Sequence, residues 1–289
     1  MHLDVRQSPK WSEYLKFYNW NSENICDNLI YRYIKLGFFS FAKVQRAKLL
    51  TSEDLVKIEE LNKKSNSILI EIEGNIGQDT EILNKFGYKQ SIAPNLPSKT
   101  FIVDLTKSED ELKKALSTSA KYSVNRSFRE GDITKVFPSP NEKQVEEFYK
   151  MHKATGGKRG FSTQSFKDIK YKVKVFGNES YLINTYNKDG ELMVSKLCVT
   201  YGDGVWYLLG AFSNEAQKTK SGYQNVWEAI LFFKSKGFKY FDLEGAYDER
   251  VPKLAKEWVK FSSFKEKFGA PKVTFPLIHS KIALLNIFS

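Results

Sequence analysis

The sequence has few of the residues that usually announce a chemistry. Two cysteines, Cys26 and Cys198, in 289 residues cannot build a disulfide framework. With only three histidines, no Cys/His cluster has zinc spacing, so no metal is expected. No run approaches the ~18–20 apolar residues of a membrane span. The richest stretch, Leu36-Gly37-Phe38-Phe39, is far shorter. The opening Met1-His2-Leu3-Asp4-Val5-Arg6 lacks the apolar core of a signal peptide, and a cytoplasmic location is the expectation.

What is present is a globular composition, 41% hydrophobic and 15% aromatic, which excludes global disorder. At 289 residues, one large domain or two modest ones are both allowed. The net charge is +11, from 45 Lys+Arg against 34 Asp+Glu. That excess is localised. Residues 107–174 hold 16 basic and 9 acidic side chains, and residues 251–289 hold 7 and 2. Two basic segments suit the border of a site for a polyanion; the other reading is a set of solvated, Lys-rich helix faces.

Local patterns give an α+β chain. Ser8-Pro9 reads as N-cap and first helical residue, and Ser52-Glu53-Asp54-Leu55 opens a helix with an acidic first turn. Ile68–Glu73 alternates as a strand, and Ser91–Lys99, with Pro94 and Pro97, reads as a linker. Thr100–Leu105 is strand-like, and Ser108-Glu109-Asp110-Glu111 has the form of a capping box. A helix is expected over Asn141–Lys153. Strands are expected at 181–183, 192–199 and 205–209, with turns at Asn187–Gly190 and Gly202–Gly204. Tyr223, Val226, Trp227, Ile230 and Leu231 then fall at helical spacing, ahead of a strand over 237–243. Meander, long helix, strand is the order of a GNAT-like unit. The echo of Phe86-Gly87-Tyr88-Lys89 in Gly237-Phe238-Lys239 hints at two such halves, the first reduced.

Four passages resemble the FemABX family of tRNA-dependent peptidyltransferases, over about Gln7 to Phe275. They are Gln7-Ser8-Pro9-Lys10-Trp11; the basic stretch Thr118–Gly131; Tyr240-Phe241-Asp242-Leu243-Glu244-Gly245; and Phe264-Lys265-Glu266-Lys267-Phe268-Gly269, similar to the family's Phe-Lys-x-x-Phe-Gly. The resemblance implies two GNAT-like acyltransferase domains: residues 1–98 with 272–289 on the precursor side, and 99–271 as the second. It implies aminoacyl-tRNA as donor, a peptidoglycan precursor (nucleotide- or lipid-linked) as acceptor, and no cofactor. A lipid-linked acceptor would bring peripheral contact with the membrane. No heptad run supports the coiled-coil arm that many relatives carry, so tRNA would be held by the globular surface.

Residue by residue, the resemblance gives Lys265 the role of stabilising the oxyanion, against a solvated lysine between Phe264 and Phe268 as the plain alternative. For the precursor it points to Lys16, although the family position falls on Leu15, ~100° around the helix. Glu73 stands where the family usually has Asp, and Lys158 or Arg159 fits its Arg before Gly-aromatic. A second phosphate-binding Arg of the family falls on Gln164. Tyr207, Tyr247 and Phe264 are candidates to line the peptide groove, or are core aromatics. Lys121, Arg126 and Arg129 are candidates for the tRNA backbone, or a solvated face. At spacings of 3 and 5, Arg126 and Arg129 share a face and Lys121 does not.

Two other functions use the same residues. An acyl-CoA-dependent N-acyltransferase of GNAT fold needs a Gly-rich pyrophosphate loop before the central helix. Lys218-Thr219-Lys220-Ser221-Gly222-Tyr223 offers one glycine there. A non-enzymatic RNA-binding protein would show its own signatures, and these are absent.

Overall fold

A computed structural model of the chain describes residues 3–159, 163–252 and 258–282. The chain divides into two compact units: Met1–Thr100 with Gly245–Val259 and Val273–Ser289, and Phe101–Glu244 with Lys260–Lys272. The excursion 245–259 is a correction to the expected division, which kept it in the second domain. Its anchor is Asp248, which is buried and takes bonds from Ser98 Oγ (2.5 Å) and Arg250 Nη2 (2.6 Å).

In the first unit Ser8 accepts a hydrogen bond from Trp11 N (3.0 Å) and so starts α1 (Pro9–Leu15), the N-cap chemistry expected from the sequence. Three antiparallel strands follow: β1 (Trp20–Cys26), β2 (Leu29–Leu36) and β3 (Phe39–Gln45). The two links are tight, with Asn28 at φ 59° and Gly37 at φ 64°, the left-handed backbone that short hairpin turns require. A full capping box between Thr51 and Asp54 opens α2 (Ser52–Lys64). This helix carries the chain to β4 (Ser67–Glu73), parallel to β3, then come α3 (Thr80–Lys85) and β5 (Lys89–Gln90). Ile70 and Ile72, on the apolar face expected of β4, are fully buried against Leu55 and Ile58 of α2 and Tyr31 of β2. Each such side chain contributes roughly 1.5–3 kcal/mol of burial.

The second unit begins with β6 (Lys99–Asp104), α4 (Glu109–Ala115) behind its capping box, α5 (Thr118–Arg129) and β7 (Ile133–Pro138). Helices α6 (Glu142–Arg159) and α7 (Phe166–Phe176) precede the meander β8 (Ser180–Tyr186), β9 (Leu192–Tyr201) and β10 (Gly204–Phe212). Short α8 (Glu215–Thr219) leads into α9 (Ser221–Ser235), the amphipathic helix of the sequence. It crosses over to β11 (Tyr240–Asp242), parallel to β10. Last come α10 (Val259–Glu266) and β12 (Lys272–Thr274). The sheet order is β12-β6-β11-β10-β9-β8-β7, which places β9 and β10 inside it. Leu182, Leu197 and Ala211 pack with Val145 and Phe148 of α6 and Ile169 of α7 on one face.

The chain then closes the first sheet with β13 (His279–Ile282), inserted between β4 and β5 in the order β1-β2-β3-β4-β13-β5. Two sheets with GNAT-like order agree with the expected fold class, and among the described residues the first unit is the poorer in helix. Several elements escaped the sequence reading, among them β1 to β3, β7, α7 and the closing strands β12 and β13. Helix α6 runs six residues past the expected Lys153, and β11 is limited to three residues. No helix among the described residues is long and apolar enough to cross a membrane.

Candidate active site

The end of β11 turns sharply because of two residues. Asp242, fully buried, accepts a hydrogen bond at Oδ1 from Glu244 N (2.8 Å), and Glu244 takes a left-handed backbone with φ 51°. A non-glycine residue there costs ~1–2 kcal/mol. Surrounding structure must impose that conformation, and such residues cluster at functional sites. The turn aims the Glu244 carbonyl at α10, where it accepts a hydrogen bond from Lys265 Nζ. Lys265 is buried at 9% exposure, so the solvated-lysine alternative does not hold. Burial lowers its pKa to about 8, partly opposed by the carboxylates of Glu244 and Asp242.

Helix α10 is itself fixed by aromatics and by one glycine. Tyr223 at the start of α9 meets Phe264 (4.9 Å between centroids) and Phe268 (5.9 Å). Gly269, at φ 71°, lies so close to α4 that a Cβ would stand 2.3 Å from the Ala115 carbonyl oxygen. The Phe-Gly pair of the fourth motif therefore docks α10, and the docking sets where Lys265 points.

A second lysine, missed in the sequence, lies in the same unit. Lys196 on β9 is fully buried. Leu197 beside it packs toward α6 and α7, so Lys196 faces the opposite side of the sheet. Its Nζ sits 5.0 Å from the ring centroid of Tyr207, 4.9 Å from Phe212 and 5.9 Å from Phe264. Tyr207 also lies beneath Lys265 Nζ, at 5.8 Å. The register partner of Lys196 is Gly210, where a Cβ would fall 2.0 Å from the Tyr207 hydroxyl. Glycine thus lets the Tyr207 ring fold back over the strand pair. A lone charged residue in the strand Leu192–Tyr201, flanked by Met193, Val194, Leu197 and Val199, was the available signal.

Lys265, Phe264 and Tyr207 are therefore brought together, with Lys196 and Phe212 added. The other expected residues lie elsewhere. Tyr247 is in the first unit, half-buried against Val251 and Leu277. Glu73 is buried there too, accepting from Gln45 Nε2 (2.7 Å) and Leu96 N (2.7 Å). Lys16 follows Leu15 out of α1: Leu15 is buried, whereas Lys16 is exposed and ion-paired with Glu13 at 2.6 Å. The ~100° offset noted in the sequence thus turns Lys16 to solvent. The side chains of Lys158 and Arg159, at the end of α6, lie outside the described residues. Gln164 accepts from buried Lys172 Nζ (2.6 Å). On α5, Arg126 pairs with Glu130 (2.6 Å), Lys121 bonds the Lys114 carbonyl (3.0 Å) and Arg129 lies over Tyr122 (5.9 Å).

The first unit also holds a cationic pair that the sequence reading did not single out. Arg32, fully buried on β2, donates from Nη2 to Ser12 Oγ (2.8 Å), and its register partner on β3 is Lys43. Desolvation lowers Lys43 to about 8, and its Nζ stands 4.0 Å over the Trp20 ring.

No family model matches the sequence, and no curated protein sequence matches it. The structure does match. A crystal structure of FemX superposes on 97% of this chain and 92% of its own, with a TM-score of 0.81 at 15% identity. The C-terminal domain of a protein designated a lysylphosphatidylglycerol synthetase, from Agrobacterium fabrum, covers 97% and 90% with a TM-score of 0.69 at 15% identity. A tandem GNAT protein from the clavulanic acid biosynthesis pathway covers 89% and 79% at a TM-score of 0.55 and 10% identity. At these identities the likeness is one of fold, and the fold is FemABX-like: two GNAT-like units in one chain.

Proposed function

We propose that the protein is an aminoacyltransferase that moves an amino acid from aminoacyl-tRNA to the amine of a peptidoglycan-precursor stem peptide. The observation that carries this reading is Lys265. It is a buried lysine held on a main-chain carbonyl beside aromatic rings, in a FemABX-like fold and in the sequence Phe264-Lys265-Glu266-Lys267-Phe268-Gly269.

The chemistry explains why such a group is wanted. The acceptor amine attacks the ester carbonyl, and an oxyanion forms on the carbonyl oxygen. A fixed cation or donor aimed at that oxygen is typically worth ~10²–10³ in rate, more where water is excluded. Lys265 fills this role by exchanging its bond to Glu244 for one to the oxyanion. Phe264 and Tyr207 form the apolar wall against which the aminoacyl group lies. For the precursor the reading keeps Glu73, Tyr247 and Lys16, and for its phosphates Lys158 or Arg159. Lys121, Arg126 and Arg129 of α5 contact the tRNA backbone.

The test is incubation with a charged tRNA pool and, separately, nucleotide-linked precursor, lipid-linked precursor and phosphatidylglycerol vesicles, read by mass spectrometry. Addition of one aminoacyl mass to either precursor is the expected result. Transfer only to the vesicles would move the acceptor to a lipid headgroup, the substrate class that the name of the Agrobacterium protein carries. Transfer from acetyl-CoA but from no charged tRNA would overturn the reading.

A further inference from the structure

Lys196 has no place in that scheme, and its surroundings are hard to reconcile with a structural role. Among the described residues no group accepts a hydrogen bond from its Nζ, and its side chain is fully buried. The three ring faces offer an ammonium about 2 kcal/mol or somewhat more, less than the cost of burying it with no hydrogen-bond acceptor, so a purely structural site would favour a methionine of similar shape. The titratable groups that face it supply no counter-charge. Cys198 on its own strand is a thiol that burial pushes up, hence neutral. Tyr207 of β10 presents a ring. Lys265 of α10 is a second cation that disfavours the charge on Lys196. The carboxylates of Asp242 and Glu244 act on Lys265 instead. On the far side of β10, His152 of α6 is bonded to the Gly210 carbonyl (2.9 Å).

We propose that Lys196 is the proton acceptor of this site, a neutral amine kept under the rings of Tyr207, Phe212 and Phe264 beside the cationic Lys265. The proposal rests on the aminoacyl-transfer reading and adds to it the step that Lys265 cannot perform. An alkylammonium acceptor has its pKa near ~10.4 and must lose a proton before it can attack. Burial and the neighbouring cation lower Lys196 to about 7, whereas Lys265, with its carboxylates, stays at about 8. Lys265 has the Glu244 carbonyl and two carboxylates to hold its charge, and Lys196 has neither, so two lysines in one aromatic box divide into base and cation.

In the step itself, the acceptor ammonium gives one proton to Lys196 Nζ. The nitrogen lone pair then forms the C–N bond, and the carbonyl electrons move to oxygen opposite Lys265. Collapse breaks the C–O bond to the ribose. The departing oxygen leaves as a hydroxyl with the second proton of the attacking nitrogen, and Lys196 returns its own proton to solvent. The rings of Tyr207 and Phe264, half-buried at the edge of the box, are what the acceptor chain displaces to reach the amine.

The test has two arms. In the first, the Lys196 amine of the whole protein is titrated by NMR with labelled lysine, assigned through K196M; this needs no substrate. A midpoint near pH 7 is expected, and a midpoint above ~9 overturns the proposal. In the second, single-turnover transfer from charged tRNA is followed against pH. The wild-type rate should rise through pH 7. K196M should be at least 100-fold slower and lack that rise, K265M should be slow but keep it, and methylamine should partly restore K196A. A K196M protein that transfers at the wild-type rate with the same pH profile overturns the role of Lys196 and leaves the donor reading intact. A wild-type protein that transfers from no charged tRNA overturns the donor reading, and the proton-accepting role falls with it.

Discussion

Lys265 donates a hydrogen bond to the main-chain carbonyl of Glu244, and Glu244 can offer that carbonyl only because its backbone is left-handed, with φ 51°. Asp242 holds the turn by accepting from Glu244 N at 2.8 Å. The Asp-Leu-Glu-Gly motif and the Phe-Lys motif, separated by some twenty residues, are therefore one device. Lys265→Met keeps the apolar stem and should leave the fold intact. Turnover at saturating charged tRNA should fall by ~10²-fold or more, a loss of ~2.7–4 kcal/mol of transition-state stabilisation. Single-turnover kinetics check this; a change confined to the apparent KM would make Lys265 a donor-binding residue instead.

The glycine of the same motif makes a separate prediction. Gly269→Ala meets two obstacles, a left-handed φ of 71° and a main-chain oxygen 2.3 Å from the new Cβ. Backbone atoms cannot swing aside as a side-chain tip can. The substitution should cost ~3 kcal/mol or more, combining backbone strain with overpacking. Urea denaturation measures it, and a loss below ~1 kcal/mol would mean that α10 is not docked through this contact.

Much of this could be read in the sequence, for identifiable reasons. Ser8, Thr51/Asp54 and Ser108/Glu111 act through neighbours three residues away, so the caps of α1, α2 and α4 are visible locally. The family resemblance, more than the residues themselves, marked Lys265, Phe264 and Tyr207, which the structure places near one another. Lys196 stayed hidden because its meaning depends on partners 11, 16 and 68 positions away, brought together by the β9–β10 register and by α10. The strands β1 to β3 were missed because Asn21, Ser22, Glu23 and Asn24 give β1 no apolar alternation, exposed as that edge strand is. Lys16 misled because motif position was read without the helical phase that turns it outward.

Gly210 gives a third prediction, one that probes the aromatic box without touching either lysine. Gly210→Ala would put a Cβ 2.0 Å from the Tyr207 hydroxyl and must displace that ring. We expect a stability loss of ~1–3 kcal/mol, the usual range for overpacking. The single-turnover rate should drop while tRNA affinity stays unchanged. Filter binding beside single-turnover kinetics separates the two, and an unaltered rate would show that Tyr207 does not shape the site.

Binding to tRNA should weaken steeply with salt, because residues 107–174 carry seven more basic than acidic side chains. A protein making several phosphate contacts loses roughly 10³–10⁵ in affinity between about 50 and 200 mM salt. Arg129 and Arg126 differ in their present partners, a ring and the Glu130 carboxylate. Arg129→Ala should therefore reduce the salt slope by about one, and Arg126→Ala by less. Filter binding across that range measures both. A flat salt response would remove tRNA from the list of partners.

The two buried lysines also make stability depend on pH in a direction that can be fixed in advance. Both have native pKa values below the unfolded one: about 7 for Lys196 and about 8 for Lys265, against ~10.4. Below pH 7 native and unfolded chains alike hold both protons, and the full cost of burying two charges weighs on the native state. Between pH 7 and ~10.4 the native protein has released protons that the unfolded chain still binds, so these groups make stability rise with pH. Above ~10.4 the contribution is flat. Lys196→Met removes one of the two charges, so the variant should exceed the wild type by a few kcal/mol at pH 6. The gap should shrink steadily between pH 7 and 10. Urea denaturation of both proteins at pH 6, 8 and 9.5 measures it, and taking the difference cancels the titrating groups that do not interact with Lys196, which leaves the Lys196 amine and its coupling to Lys265. If the gap does not change with pH, the Lys196 amine is solvated in the native protein and has no depressed pKa.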